Sequence, residues 1–394
     1  MKASLTMDGP VESPLLEKTN RGIVGSSMNR PEGKFKVSGT ATYAHEWNLP
    51  GTAFGVFVRA AIPKGRWTGI DHGWARQQPG VLGVFADKRF LRNPAQGMAG
   101  EAPVQPDKAI AYLGQPIALV VAETFEQARH IAQNIGVTYA ADEDGVFDPE
   151  ASNVEHEFMD DQHLDQGDLD EAMKTSAYSI DQVYRTPNHN SAAMEPHCSV
   201  ASWQGDKLTL RGSYQMLKFN KAELADCLGI EPDNVRILSP YVGGGFGSKL
   251  GIAPEAVAAS IAAKELGCPV SVTLTRQQVF ETTMRRSETR QRVRLASDED
   301  GRLTGIGHNF LASNLPEESF LEPVLQATHF IYGGANRRFS AEAARLNRTC
   351  AGSVRAPGEA VGMQALEIAM DELAVASGID PVELRLRNIP DEHP

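Results

Sequence analysis

Cysteine is scarce in this chain of 394 residues: four in all, Cys198, Cys227, Cys268 and Cys350, with no Cys-x-x-Cys among them. That spacing argues against a zinc or iron–sulfur site held within the chain. Scattered thiols fit folding in a reducing compartment, most of them as small buried hydrophobes. No two His or Cys stand at ligand spacing either, so no metal held by protein side chains is expected. Basic charge is short as well, 38 Lys and Arg against 50 Asp and Glu for a net of −12. Nucleic acid is therefore not an expected partner, because binding phosphates needs a basic surface. No run reaches the roughly 18 apolar residues that a membrane span requires. Residues 1–30 have no apolar core behind a basic end, so no signal peptide is read there. They read instead as part of a polar, partly disordered arm over 1–35. There is no internal repeat and no low-complexity tract.

What is present reads as a soluble α+β protein with 41% hydrophobic and 22% charged residues. Residues 36–140 read as one unit. A β-rich stretch is expected from Lys36, with a strand at 54–59. Ile117 to Ala122 form a continuous apolar run, as in a buried strand. Ala128, Ile131, Ala132 and Ile135 share one helical face, with Gly136 as the expected C-cap. A strand follows at 137–139. Residues 141–171 hold thirteen Asp or Glu and no Lys or Arg. An acidic linker is assigned to 141–167, read as solvated, with a docking surface for a basic partner as the alternative. A second unit is expected over 168–394. It has strands at 177–186, 208–213 and 236–238, with 218–228 and 231–235 flanking a turn before the last of them, and an alanine-rich helix from Pro254 ended by Gly267. Leu366, Ala369, Met370 and Leu373 make a helical stripe closed by Gly378, and Asp380-Pro381 starts a last short helix.

Three segments carry chemistry. The first is Gly243-Gly244-Gly245-Phe246-Gly247-Ser248-Lys249, between a strand and a helix. Glycines there permit positive φ and close approach of backbone amides, which can form an anion-binding nest. A nucleotide loop fits poorly, since Lys249 follows Ser248 and the dinucleotide fingerprint's third glycine is misplaced. A tight turn with no ligand is the plain alternative. The second is Met194-Glu195-Pro196-His197, and the third is Ser353-Val354-Arg355-Ala356-Pro357-Gly358-Glu359.

In this order and at these distances the segments resemble the molybdopterin-binding large subunit of the xanthine dehydrogenase and aldehyde oxidase family. The phrasing of 119–129 and 355–360 is similar to bacterial aromatic-aldehyde oxidoreductase subunits. The resemblance implies an α/β-hammerhead domain over 36–140, then the first molybdopterin-binding domain over 168–394. It implies that Gly244, Gly245, Phe246 and Gly247 border the molybdenum, which the pterin dithiolene holds. Gln215 stands where the family has a glutamine that hydrogen-bonds an oxo ligand, and an ordinary surface glutamine is the alternative. Arg355 and Ala356 match the family's segment beside metal and pterin, with an Arg355–Glu359 ion pair as the alternative. Glu195 and His197 are expected to be structural: a buried, hydrogen-bonded carboxylate and a satisfied core histidine.

The resemblance covers 36–394 and about half of a typical large subunit. It implies that the second molybdopterin-binding domain, with the family's essential glutamate base, is absent here and comes from another chain, unless this is a fragment. Purine-oxidising members have a glutamate where this chain has Leu250, an aromatic where it has Pro357, and an arginine that 320–330 lacks. The carbon monoxide branch's cysteine is missing beside Arg355. These departures imply a more apolar pocket and oxidation of an aldehyde, aromatic by phrasing, to a carboxylic acid with water as oxygen source. Hydroxylation of an N-heterocycle, or a non-catalytic scaffold, are the alternatives. The implied cofactor is molybdenum–molybdopterin, with the cytosine dinucleotide form as one candidate. The implied partners are a second molybdopterin-domain chain, an iron–sulfur subunit and an FAD subunit. The compartment stays open, because a complex can be exported on a partner's signal.

Overall fold

The computed structural model describes residues 26–97, 102–105, 107–142 and 145–390. The first 25 residues of the expected arm lie outside them. Two units are distinguished, one ending at Thr42 and one from Tyr43 onward. The described part of the first holds a short helix, Gly33–Val37, where a β-rich stretch was expected. The amides of Thr40 and Ala41 both return to the Phe35 carbonyl, at 2.9 and 3.0 Å, so the chain closes on itself instead of extending.

The second unit is organised by two sheets. A seven-stranded sheet runs in the order Val235–Leu238, Lys207–Gly212, Cys198–Gln204, Val270–Thr273, Ala53–Arg59, Pro116–Ala122, Val81–Phe85. Its seam is the parallel pair of Ala53–Arg59 with Val270–Thr273, registered Ala53 to Val270. Strands from the early and late parts of the chain therefore share one sheet.

Pro116–Ala122 is buried at every position, as its apolar run suggested. Side chains alternate across a strand, so Leu119 and Val121 enter one core and Ala118 and Val120 another. Ile117 joins the second core out of alternation, at the register shift between Val58 and Arg59. The first core holds the helix Pro254–Leu266, whose residues from Pro254 to Ala263 are all buried. The second takes Ile131 from the helix Phe125–Asn134. That helix ends with Ile135 in an extended conformation, so Gly136 lies beyond its cap. Ile135 itself turns into the core beside Ile131. Gly267 and Gly378 adopt the left-handed caps expected of them.

The second sheet orders His156–Phe158, Asn336–Arg345, Leu303–Asn314, Thr289–Ser297 and Tyr178–Thr186, with Leu164–Gln166 also on Asn336–Arg345. Val293 and Leu295 pack against Leu366, Ala369, Met370 and Leu373 of the helix Glu359–Ser377. Full burial of each large side chain there contributes about 2 kcal/mol. Arg290, Arg292 and Arg294 alternate with those two, and the acidic stretch is drawn to them. Glu150 pairs with Arg290 at 2.9 Å, and Asp170 pairs with Arg294 and Arg338 at 3.0 and 2.8 Å. Asp165 meets Arg338 at 3.1 Å. The stretch read as a solvated linker is exposed, yet strand pairing and its own chain's arginines fix it to the sheet.

Candidate functional site

Four stretches distant in sequence meet at one surface. The strand Val235–Leu238 leads toward the glycine run, and the buried helix Pro254–Leu266 follows it. The Gly243 amide donates to Glu195 Oε2 at 2.7 Å, and the Glu195 amide returns to the Gly243 carbonyl at 3.2 Å. The amides of Gly247 and Lys249 both donate to Gln215 Oε1, at 3.1 and 3.3 Å. The Gln215 amide donates to the Lys249 carbonyl at 2.8 Å. Finally, the Arg355 amide donates to the Phe246 carbonyl at 2.7 Å. The three motifs and Gln215 thus form one hydrogen-bonded unit.

Close packing explains two of the glycines. A Cβ on Gly245 would lie 2.3 Å from Gln215 Oε1. One on Gly247 would lie 1.9 Å from the Ser353 carbonyl oxygen, and Gly247 also has φ +105°. Any side chain there would separate the glycine run from the Arg355 segment. Phe246, at φ +52°, and Ala356, at φ +55°, are among only five non-glycine residues with positive φ among those described. Such conformations cost on the order of 1–3 kcal/mol each and persist only where the surroundings enforce them.

Behind the surface lies a buried ion pair. The Lys249 ammonium, with no exposed side-chain area, donates to Glu195 Oε2 at 3.2 Å, the Glu195 carbonyl at 2.9 Å and Ser213 Oγ at 3.0 Å. All three of its hydrogens are therefore used. Glu195 Oε2 also accepts from Ser213 Oγ at 2.6 Å. Burial lowers the Lys249 pKa, opposed by the Glu195 charge. His197 Nε2 lies 2.9 Å from the Ser248 carbonyl, which makes it the protonated nitrogen. Burial, then the Lys249 charge, pushes His197 down to about 4. Its buried Nδ1 has no partner among the described residues, so it is only half satisfied as a core histidine.

The outward side is different. Gln215, Phe246, Arg355 and Ala356 are exposed. Because Gln215 Oε1 is taken by two amides, its Nε2 hydrogens face away with no protein partner among the described residues. The amides of Gly244, Gly245, Phe246 and Ala356 also lack one among those residues. Arg355 makes no ion pair with Glu359, whose Oε1 instead accepts from Gln326 at 2.9 Å. The surface is thus a set of donors with no matching acceptors. Such a set fits an oxygen-rich, anionic ligand such as a molybdenum–pterin phosphate. No cluster of three or more His, Cys, Asp or Glu that could hold a metal occurs among the described residues.

Leu250 is half-buried, its carbonyl bound by Asn220 Nδ2 at 2.6 Å, and Pro357 is half-buried at the start of the turn into Gly358. A cavity of about 290 Å³ lined by Trp203, Leu228, Ile261 and Lys264 lies on other elements. It shares no residue with the donor surface.

Two further residues reach the 353–358 turn and escaped the sequence reading. Arg286 donates to the carbonyls of Val354, at 2.8 Å, and of Arg355 and Ala356. Glu322 Oε1 accepts from Arg286 and from the Gly358 amide, both at 2.7 Å. The available signal was Gly358-x-x-x-Gly362: a Cβ at either position would press into the 323–324 backbone.

A model of the molybdopterin cofactor-binding domain matches residues 147–389, and one of the aldehyde oxidase and xanthine dehydrogenase a/b hammerhead domain matches 38–143. The aldehyde oxidoreductase molybdenum-binding subunit PaoC of Escherichia coli (strain K12) is 41% identical over 376 residues, 93% of this chain and 50% of PaoC. The nicotinate dehydrogenase large molybdopterin subunit of Eubacterium barkeri is 24% identical over 93% of this chain and 89% of its own. Among solved structures, the aldehyde oxidoreductase of Desulfovibrio gigas matches with a TM-score of 0.79 at 26% identity, covering 92% of this chain and 43% of that one. The chain spans about half the length of the first curated relatives it matches.

Proposed function

The chain belongs to the aldehyde oxidase and xanthine dehydrogenase family, as a hammerhead domain followed by a molybdopterin-binding domain, and on that premise we propose that it is the molybdopterin-binding part of an aldehyde-oxidising molybdenum enzyme. The observation that carries the proposal is the donor surface, where the amides of Gly244, Gly245, Phe246 and Ala356 have no protein partner among the described residues. When bound, the molybdenum–pterin group supplies the two-electron oxidation.

This chain's residues have distinct parts in the proposal. Gln215 Nε2 donates to an oxygen of the group, with Oε1 fixed from behind by Gly247 and Lys249. The amides of Gly244, Gly245, Phe246, Gly247 and Ala356 lie along the cofactor surface, Gly247 serving through its contact with Gln215. Arg355 offers a planar fork to phosphate or pterin edges. Leu250 and Pro357 border the substrate and favour an apolar, aromatic aldehyde. The basic residue for proton removal, a glutamate, comes from outside these 394 residues. So do the iron–sulfur clusters and FAD that accept electrons, and the pterin is in its cytosine dinucleotide form.

A second reading, hydroxylation of an N-heterocycle, is favoured by the match to most of a nicotinate dehydrogenase subunit. A panel of benzaldehyde, nicotinate and xanthine, given to the native complex, separates the two. Turnover of benzaldehyde alone supports the proposal; turnover of nicotinate alone overturns the aldehyde assignment. Gln215→Ala is expected to retain molybdenum and lose on the order of 10²-fold in kcat, as for a single lost transition-state donor. Unchanged turnover removes Gln215 from the site.

A further inference from the structure

We infer that Arg286 and Glu322 are positioning residues that set the cofactor-facing geometry of the Arg355–Ala356 turn. The inference rests on the proposed cofactor surface. Arg286 is buried, on a short strand Arg285–Arg286, and Glu322 is wholly buried on another loop. One guanidinium reaches three consecutive carbonyls, those of Val354, Arg355 and Ala356.

In a planar trans peptide the C=O and the following N–H point in opposite directions. Drawing the Arg355 carbonyl inward therefore turns the Ala356 amide outward, where it has no protein partner among the described residues. Drawing the Val354 carbonyl inward turns the Arg355 amide the other way, toward the Phe246 carbonyl it meets at 2.7 Å. A single side chain thereby joins the turn to the glycine run and presents a free donor. It also accounts for Ala356 holding φ +55° without being glycine.

Glu322 completes the arrangement. It neutralises Arg286 at 2.7 Å and takes the Gly358 amide at 2.7 Å. Lysine could not replace this fork, because an ammonium is a point donor and cannot span three carbonyls with the same geometry.

The test uses the native complex with Arg286→Lys and Glu322→Gln, with Arg292→Lys as a control on the opposite face of the second sheet. Amide hydrogen exchange at Arg355 and Ala356 is read with and without cofactor. Molybdenum per chain and the electron paramagnetic resonance signal of the retained metal are read alongside. Arg286→Lys is expected to speed Arg355 exchange at least tenfold, to lower molybdenum content severalfold and to shift the resonance signal of the remainder. Glu322→Gln is expected to change the same readouts in the same direction by less, and Arg292→Lys to leave them unchanged. General destabilisation would spread faster exchange beyond the turn and leave the resonance signal in place, which overturns a positioning role. Unchanged exchange at Arg355 and Ala356 overturns the clamp itself. A wild-type complex that binds no molybdenum overturns the parent reading, and the exchange measurement still decides the clamp.

Discussion

Replacing Lys249 with methionine tests whether the buried ion pair holds the glycine run in place. Methionine roughly keeps the volume and removes only the charge and its three donors. Lys249 has no exposed side-chain area, and Glu195 keeps 9%. Breaking a buried pair by removing one partner costs roughly 3–5 kcal/mol, because the remaining charge is stranded. Here the carboxylate retains the Gly243 amide and the Ser213 hydroxyl at 2.7 and 2.6 Å, which places the cost at the low end. At roughly 2–4 °C per kcal/mol for a domain of this size, a loss of about 3 kcal/mol lowers Tm by about 6–12 °C. Calorimetry at pH 7 measures it. The double variant Lys249→Met with Glu195→Gln is expected to recover part of the loss, on the order of 1–2 kcal/mol, since neighbouring sites are not additive. A single-variant loss under about 1 kcal/mol, or no recovery in the double variant, refutes the reasoning.

Two other substitutions follow from the same geometry. Gly245→Val places side-chain carbons against Gln215 and forces the glycine run's backbone to shift; molybdenum content is expected to fall severalfold, and normal content contradicts the placement. Glu255 is fully buried with Oε2 unpartnered among the described residues, and burial pushes its pKa from 4.5 up to about 7. Between those values the folded state keeps a proton that the unfolded chain has released, so stability falls as pH rises through the window. Glu255→Gln is therefore expected to be the more stable protein at pH 8, by roughly 3 kcal/mol, and no more stable at pH 4. Chemical denaturation at both pH values reads the crossover, and a gain independent of pH refutes it.

Much of the local architecture was legible in the sequence. The apolar run at 117–122 became a wholly buried strand, and proline and glycine bounded the alanine-rich helix from Pro254. Glu195 is the nearly buried, hydrogen-bonded carboxylate that was expected, and the glycine run meets the Arg355 segment. Long-range geometry was less accessible. Nothing local pairs Ala53 with Val270, so two stretches that read as separate units share a sheet. The acidic stretch read as solvated because its partners, Arg290, Arg294 and Arg338, stand more than a hundred residues away. Arg286 and Glu322 are 36 residues apart and reach the site through backbone carbonyls and an amide, which leave no side-chain pattern. Gln215 was singled out only through register, and the structure places its side chain against the amides of Gly247 and Lys249.

The central claim, that this surface holds a molybdenum–pterin cofactor, is tested most directly by native mass spectrometry. The chain is purified from its own host with every bound polypeptide and cofactor weighed. The account predicts one molybdenum cofactor per chain in a complex with further subunits, one of them carrying iron–sulfur clusters. A bare, metal-free chain of 42.7 kDa contradicts it.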